Sequence, residues 1–207
     1  PVPLDKSQTQ YYLHVPSTYD PARRWPLFVQ MHGTGMNARF EIGRFSAVAE
    51  AEGFILAAPQ ASSKNWDKGW GSTEVERATT LLTIDDVARR YNVDPDRVFI
   101  GGLSMGGNGT WEIGSLYADR FAGLVPEIGA PRLVNFGHLG NLRRVPLYCI
   151  VGAKDQEQMV WNNREAERFL REAGADITYN EFAEYGHQPM PGETVRFQAI
   201  SVEEAEK

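Results

Sequence analysis

The segment from Arg97 to Gly109, Arg-Val-Phe-Ile-Gly-Gly-Leu-Ser-Met-Gly-Gly-Asn-Gly, constrains the fold more than any other part of the chain. Val98-Phe99-Ile100 is a continuous apolar run of the kind buried on both faces of a sheet, and it leads at once into Gly102-x-Ser104-x-Gly106. A strand that turns into a helix within a single residue crowds its own backbone, so small residues are needed two before and two after the serine. Such a turn lifts the serine hydroxyl above the sheet edge. It also puts the Met105 N–H at a helix N-terminus, where negative charge is favoured. A serine between glycines also fits an ordinary loop or helix cap; the strand before it and the helix after it make Ser104 a candidate nucleophile.

The rest of the chain alternates in the same way. Gln10 to Val15 and Leu27 to Met31 read as strands separated by turn chemistry at Asp20-Pro21, and an antiparallel opening hairpin is expected of them. Further strands are expected at Phe54 to Ala58, Arg97 to Gly101, Ala122 to Ile128, Leu147 to Gly152 and Asp176 to Phe182. Helical spacing links Val75, Ala78, Leu82, Ala88 and Tyr91 and stops at Asn92. A second helix should start near Met105, and a third should run from Trp161 to Ala173, ended by Gly174. This alternation implies an α/β fold: a mostly parallel central sheet with helices on both faces. With 42% apolar and 23% charged residues and no repeat or linker, residues 1–207 read as one catalytic domain without an insertion long enough for a large lid.

A serine hydroxyl is a weak nucleophile at neutral pH and needs a base, itself held in one tautomer by a third group. Of the four histidines, His187 alone follows the last strand in a loop. His14 lies in the first strand, His32 precedes a glycine loop, and His138 sits within the Gly-rich stretch Asn135 to Gly140. Asp155, in the loop Gly152-Ala153-Lys154-Asp155 after a strand, is the candidate acid, with Glu157 and Asp176 as alternatives. His32-Gly33-Thr34-Gly35 follows another strand, so the Thr34 and Met105 N–H groups are candidate oxyanion donors. All of these segments follow the carboxyl ends of expected strands, which share one edge in an open parallel sheet.

The formal charge of −6 and the scattering of the pairs Arg23-Arg24, Arg89-Arg90 and Arg143-Arg144 argue against a nucleic-acid partner. No apolar run approaches the ~20 residues of a membrane span. Cys149 is the single cysteine, which leaves no intrachain disulfide, and the isolated histidines show no metal-ligand spacing, so no metal or cofactor is expected. A start at Pro1 in place of Met suggests a trimmed form. That fits a secreted or periplasmic protein if a signal peptide was removed, and a cytoplasmic one otherwise.

With these residues in hand, the chain resembles the α/β-hydrolase superfamily, and more closely its esterases related to polyhydroxybutyrate depolymerases, feruloyl esterases and acetyl xylan esterases. The resemblance is carried by Leu27 to Gly35, Asn92-Val93-Asp94-Pro95-Asp96-Arg97-Val98, Gly102-Leu103-Ser104-Met105-Gly106-Gly107, Gly152-Ala153-Lys154-Asp155 and Gly186-His187. It implies a serine carboxylesterase working through an acyl-enzyme on a small-molecule or carbohydrate-linked ester, with short-chain or hydroxycinnamoyl acyl groups. The family pattern of an apolar helix after the histidine is replaced here by Gln188-Pro189-Met190-Pro191-Gly192 and a mixed segment to Lys207. Trp66, Trp70, Met36, Met159 and Trp161, aromatic or Met residues in loops near the candidate triad, are the expected substrate-binding walls. A peptidase with the same machinery and a non-catalytic binding module on the same fold are the competing readings.

Overall fold

A computed structural model describes residues 10–61 and 69–189 of the chain. Among these, seven strands, β1 (Tyr11–His14), β2 (Trp25–Met31), β3 (Ile55–Pro59), β4 (Val93–Leu103), β5 (Gly123–Glu127), β6 (Leu147–Gly152) and β7 (Ile177–Phe182), form one sheet in the order β1-β3-β2-β4-β5-β6-β7. β1 is antiparallel to β3, and every other pairing is parallel. The α-helices among the described residues are α1 (Ala38–Glu52), α2 (Glu74–Arg90), α3 (Met105–Leu116) and α4 (Glu157–Glu172).

The expected opening hairpin does not form. Both edges of β2 are taken, by β3 and β4, and β1 instead pairs with the outer edge of β3, Tyr11 opposite Pro59. Burial accounts for the placement. β2 is buried along nearly its whole length and belongs in the middle of a sheet, whereas Tyr11–His14 is half-exposed and suits an edge. The other expected strands are present within a residue or two, except that β4 begins at Val93, ahead of the expected Arg97, and takes in Asp94-Pro95-Asp96.

Strand residues alternate between two cores. Leu27, Val29, Ile55, Ala57, Ile100, Leu147 and Cys149 face α2, α3 and α4, while Phe28, Leu56, Phe99, Tyr148 and Ile150 face α1. Helix α1 was not expected from the sequence. Its buried stripe, Ala38, Glu41, Phe45 and Ala49, has helical spacing but includes a carboxylate and two alanines, so it carries little apolar signal. Asn37 caps its start by accepting the Phe40 N–H, and Gly53 ends it at φ +75°. Helix α4 begins at Glu157, earlier than the expected Trp161, because the buried Asn162 and Asn163 interrupt the apolar pattern of its first turns.

The α1 core holds an ionic group. Arg44 spans Glu41 (2.9 Å) and Glu127 (2.7 and 2.9 Å), and Gln30 donates to Glu41 at 3.4 Å. A Cβ on Gly101 would lie 2.6 Å from Gln30 Oε1 and 2.8 Å from Phe28 Cζ, so the glycine leaves room for both side chains. Burial raises the carboxyl pKa of both Glu41 and Glu127, and the Arg44 guanidinium counters it.

Candidate active site

Ser104 is the one-residue joint between β4 and α3, at φ +56° and ψ −110°, a conformation that among the described non-glycine residues only Ile128 approaches with its positive φ of +41°. Its N–H donates to Glu127 O at 2.8 Å and its carbonyl accepts the Asn108 N–H at 2.9 Å, so both backbone groups of the strained residue are satisfied. The flanking glycines are steric necessities. A Cβ on Gly102 would lie 2.4 Å from Gly106 backbone atoms, and one on Gly106 would lie 2.1 Å from Met31 O.

Asp155 and His187 come from the loops after β6 and β7. Those loops are laced together by Ala153 N–H to Phe182 O (3.0 Å) and Lys154 N–H to Tyr185 O (2.8 Å), and Gly152 permits the contact because a Cβ there would meet Gly186 O at 2.4 Å. His187 Nδ1 lies 2.8 and 3.0 Å from the two Asp155 carboxylate oxygens, and His187 Nε2 lies 2.6 Å from Ser104 Oγ. Asp155 is 2% exposed at its side chain and also accepts the Gln156 N–H at 2.7 Å, whereas His187 is 38% exposed. The carboxylate can only accept, so Nδ1 carries the proton and Nε2 presents a lone pair to the serine O–H. An imidazole held this way can take the hydroxyl proton as Oγ attacks an electrophile. The alternative acids are elsewhere: Glu157 opens α4 beside Trp161, and Asp176 precedes β7 at the opposite end of the sheet.

The glycine loop after β2 closes over the serine, with Gly33 packed so that a Cβ there would lie 3.6 Å from Ser104 Cβ. Thr34 and Met105 both line the cleft that holds Ser104 and His187, and Met105, as the first residue of α3, has no acceptor within its own helix. The loop is braced from below by His32. Its Nδ1 bonds Gly33 O at 2.9 Å, its Nε2 accepts the Ala61 N–H at 3.2 Å, and burial lowers its pKa so that it stays neutral. His14 bonds Glu50 and His138 joins two short 3-10 turns, Leu133–Gly137 and Leu139–Arg144.

The cleft encloses about 630 Å³, and Met36 and Met159 stand in its wall. Trp70 does not. It is 1% exposed, its ring lies edge-on to His32, and its Nε1–H donates to His32 O at 2.8 Å. The expectation of a binding surface there is therefore corrected to a strut beneath the glycine loop, where a buried indole has its N–H satisfied. Trp161, half-exposed at 50%, lines a neighbouring shallow cleft with Leu133 and Glu157, joined to the first through the shared Gln158. Trp66 and the chain after Pro189 lie outside the described residues. Sequence reasoning missed Ile128 and Arg132, which line the cleft from the loop after β5. The rule that found the other loops, that functional groups follow strand carboxyl ends, applies to this one as well. Among the described residues, no group of three or more metal-ligating side chains gathers, and no helix is long and apolar enough to cross a membrane.

A mostly parallel seven-stranded sheet covered by helices, with serine, acid and histidine delivered in that chain order at its carboxyl edge, is the α/β-hydrolase fold. No protein-family model matches the chain. It is 28% identical over 163 residues to a bifunctional acetylxylan esterase/xylanase of Neocallimastix patriciarum, covering 77% of this chain and 23% of that protein. It is 33% identical over 132 residues to poly(3-hydroxyalkanoate) depolymerase C of Paucimonas lemoignei, covering 59% and 31%. In three dimensions it superposes on a ferulic acid esterase with a TM-score of 0.76 at 18% identity, covering 95% of this chain and 92% of that one. The chain spans less than a third of the length of these two curated relatives.

Proposed function

We propose that the protein is a serine carboxylesterase in which Ser104 is the nucleophile, His187 the general base and then acid, and Asp155 the group that orients His187. The observation that carries this reading is the unbroken hydrogen-bonded line from Ser104 Oγ through His187 to Asp155, at 2.6 and 2.8 Å. Ser104 Oγ adds to the ester carbonyl as its proton passes to His187 Nε2, and the negative charge on the carbonyl oxygen is received by the Thr34 and Met105 N–H groups. Collapse of this intermediate expels the alcohol, which takes the proton from His187 and leaves an acyl-Ser104. A water deprotonated by His187 then attacks the acyl carbon, the acid departs, and Ser104 regains its proton.

Similarity to an acetylxylan esterase and a ferulic acid esterase, together with the cleft, supports a substrate class. Acetylxylan and feruloyl esters have small or flat acyl groups, and a cleft of about 630 Å³ walled by Met36 and Met159 accommodates such groups against flexible, polarisable side chains. Short acyl and hydroxycinnamoyl esters, including carbohydrate-linked ones, are the proposed substrates. A Ser104→Ala variant should fall by at least about 10³-fold on p-nitrophenyl acetate and lose labelling by a fluorophosphonate probe. Activity within about tenfold of wild type would overturn the nucleophile assignment. In a series of acyl lengths, a maximum at long chains would overturn the substrate class.

A further inference from the structure

We propose that Arg132 makes this cleft selective for esters that carry a carboxylate, on either the acyl or the alcohol part; the inference rests on the serine esterase reading above. Arg132 lines the same cleft as Ser104 and His187, and no Asp or Glu is among the described residues that line it. Many of the other described arginines of this acidic chain pair with carboxylates, as at Arg97 with Asp94, Arg120 with Asp85 and Arg164 with Glu181. Among the described residues Arg132 has no such partner, and its guanidinium is held by Nη2–H to Ser72 Oγ alone.

The residue is held at both ends by one frame. The Arg132 N–H donates to Asn135 Oδ1 (2.8 Å), the buried Asn135 donates to Glu112 (2.8 Å), and Glu112 meets Arg77 (3.4 Å), which donates to the carbonyl of Gly71 beside Ser72. Stem and tether are thus tied together behind the cleft. A guanidinium has five N–H donors, so one bond to Ser72 leaves a planar fork able to take a carboxylate through two parallel bonds. Holding that fork still beforehand lowers the entropy lost on binding. A neutral ester group could fill only part of it, while a carboxylate meets both its charge and its geometry.

Two matched substrate pairs separate the sources of the carboxylate. Mono-p-nitrophenyl adipate against p-nitrophenyl hexanoate places it on the acyl part. Para-acetoxybenzoate against para-acetoxybenzamide places it on the alcohol part, as a uronic acid would. In at least one pair the ratio of kcat/KM for the charged member to that for the neutral one should drop about tenfold in Arg132→Gln. Arg132→Lys, which keeps the charge without the fork, should restore part of it. A ratio unchanged by Arg132→Gln in both pairs overturns the proposal. Should the wild-type protein hydrolyse none of the four, the esterase reading fails on its own. The carboxylate reading is then decided by calorimetric titration of benzoate and benzamide: tighter benzoate binding that Arg132→Gln abolishes supports it, and equal binding overturns it.

Discussion

Replacing Glu41 with Gln should stabilise this protein at alkaline pH and do nothing in mild acid. The Glu41 side chain has no exposed surface, its Oε1 has no hydrogen-bond partner among the described residues, and it shares Arg44 with Glu127. Burial first, and then the charge of Glu127, push its pKa from 4.5 up to about 7 against the pull of Arg44 and Gln30. The folded pKa is above the unfolded one, so between about 4.5 and 7 the folded state binds more protons and stability falls as pH rises. Across that gap of about 2.5 pH units, at about 1.36 kcal/mol per unit, ionised Glu41 costs about 3 kcal/mol above pH 7. Glutamine keeps the shape without the charge. Urea denaturation should find Glu41→Gln equal to wild type near about pH 4.5 and more stable by up to about 3 kcal/mol near about pH 8, or about 6–12 °C in Tm for a chain of this size. A variant less stable than wild type at the higher pH would show that the ionised carboxylate gains more from Arg44 than burial takes away, and would refute the reasoning.

Gly106→Ala should abolish soluble expression or lower the Tm sharply, because its Cβ would meet the Met31 backbone, whereas Gly137→Ala, which meets nothing within 4 Å, should unfold like wild type. Asp155→Asn should keep the fold, as checked by circular dichroism, while kcat/KM on p-nitrophenyl acetate falls by about 10³–10⁴-fold, since an amide can select the wrong tautomer of His187. Cys149 is fully buried, and burial pushes its thiol pKa far up, so a thiol reagent should label it only as fast as the chain unfolds; fast labelling in native buffer would contradict that placement.

What the sequence disclosed and what it withheld divide along physical lines. The serine turn was legible because a one-residue passage from strand to helix admits few side chains, so Gly102 and Gly106 are written into the chain by sterics. Asp155 and His187 were legible as polar residues just past apolar strands. The pairing of β1 was not, because edge choice depends on which strands α1 and β3 have already placed beside β2, and nothing local to Tyr11–His14 records it. Helix α1 hid because one of its buried positions is a glutamate, paired with Arg44 of the same helix, and that arginine is in turn held by Glu127 far along the chain. Trp70 misled for the converse reason: a polar, Gly-rich neighbourhood looks like a surface, yet the indole is covered by structure remote in sequence and donates to His32 O.

The two strained residues and the buried ions belong to one arrangement. Ser104 and Ile128, the described non-glycine residues with positive φ, face each other across the carboxyl ends of β4 and β5, where the Ser104 N–H donates to Glu127 O. The same Glu127 is gripped through its side chain by Arg44 of α1, by two bonds, while the Ile128 N–H is anchored to Ile150 O of β6. A residue at φ +56° stays there only if its surroundings hold it, since a relaxed strand end would release conformational strain of order 1–3 kcal/mol per such site. Three elements therefore fix the acceptor against which the nucleophile is set, and the ionic group that makes Glu41 unfavourable at high pH is also the clamp on that acceptor. This gives a physical reason for an arginine and two carboxylates to occupy a face otherwise filled with Phe28, Phe45, Phe54 and Phe99.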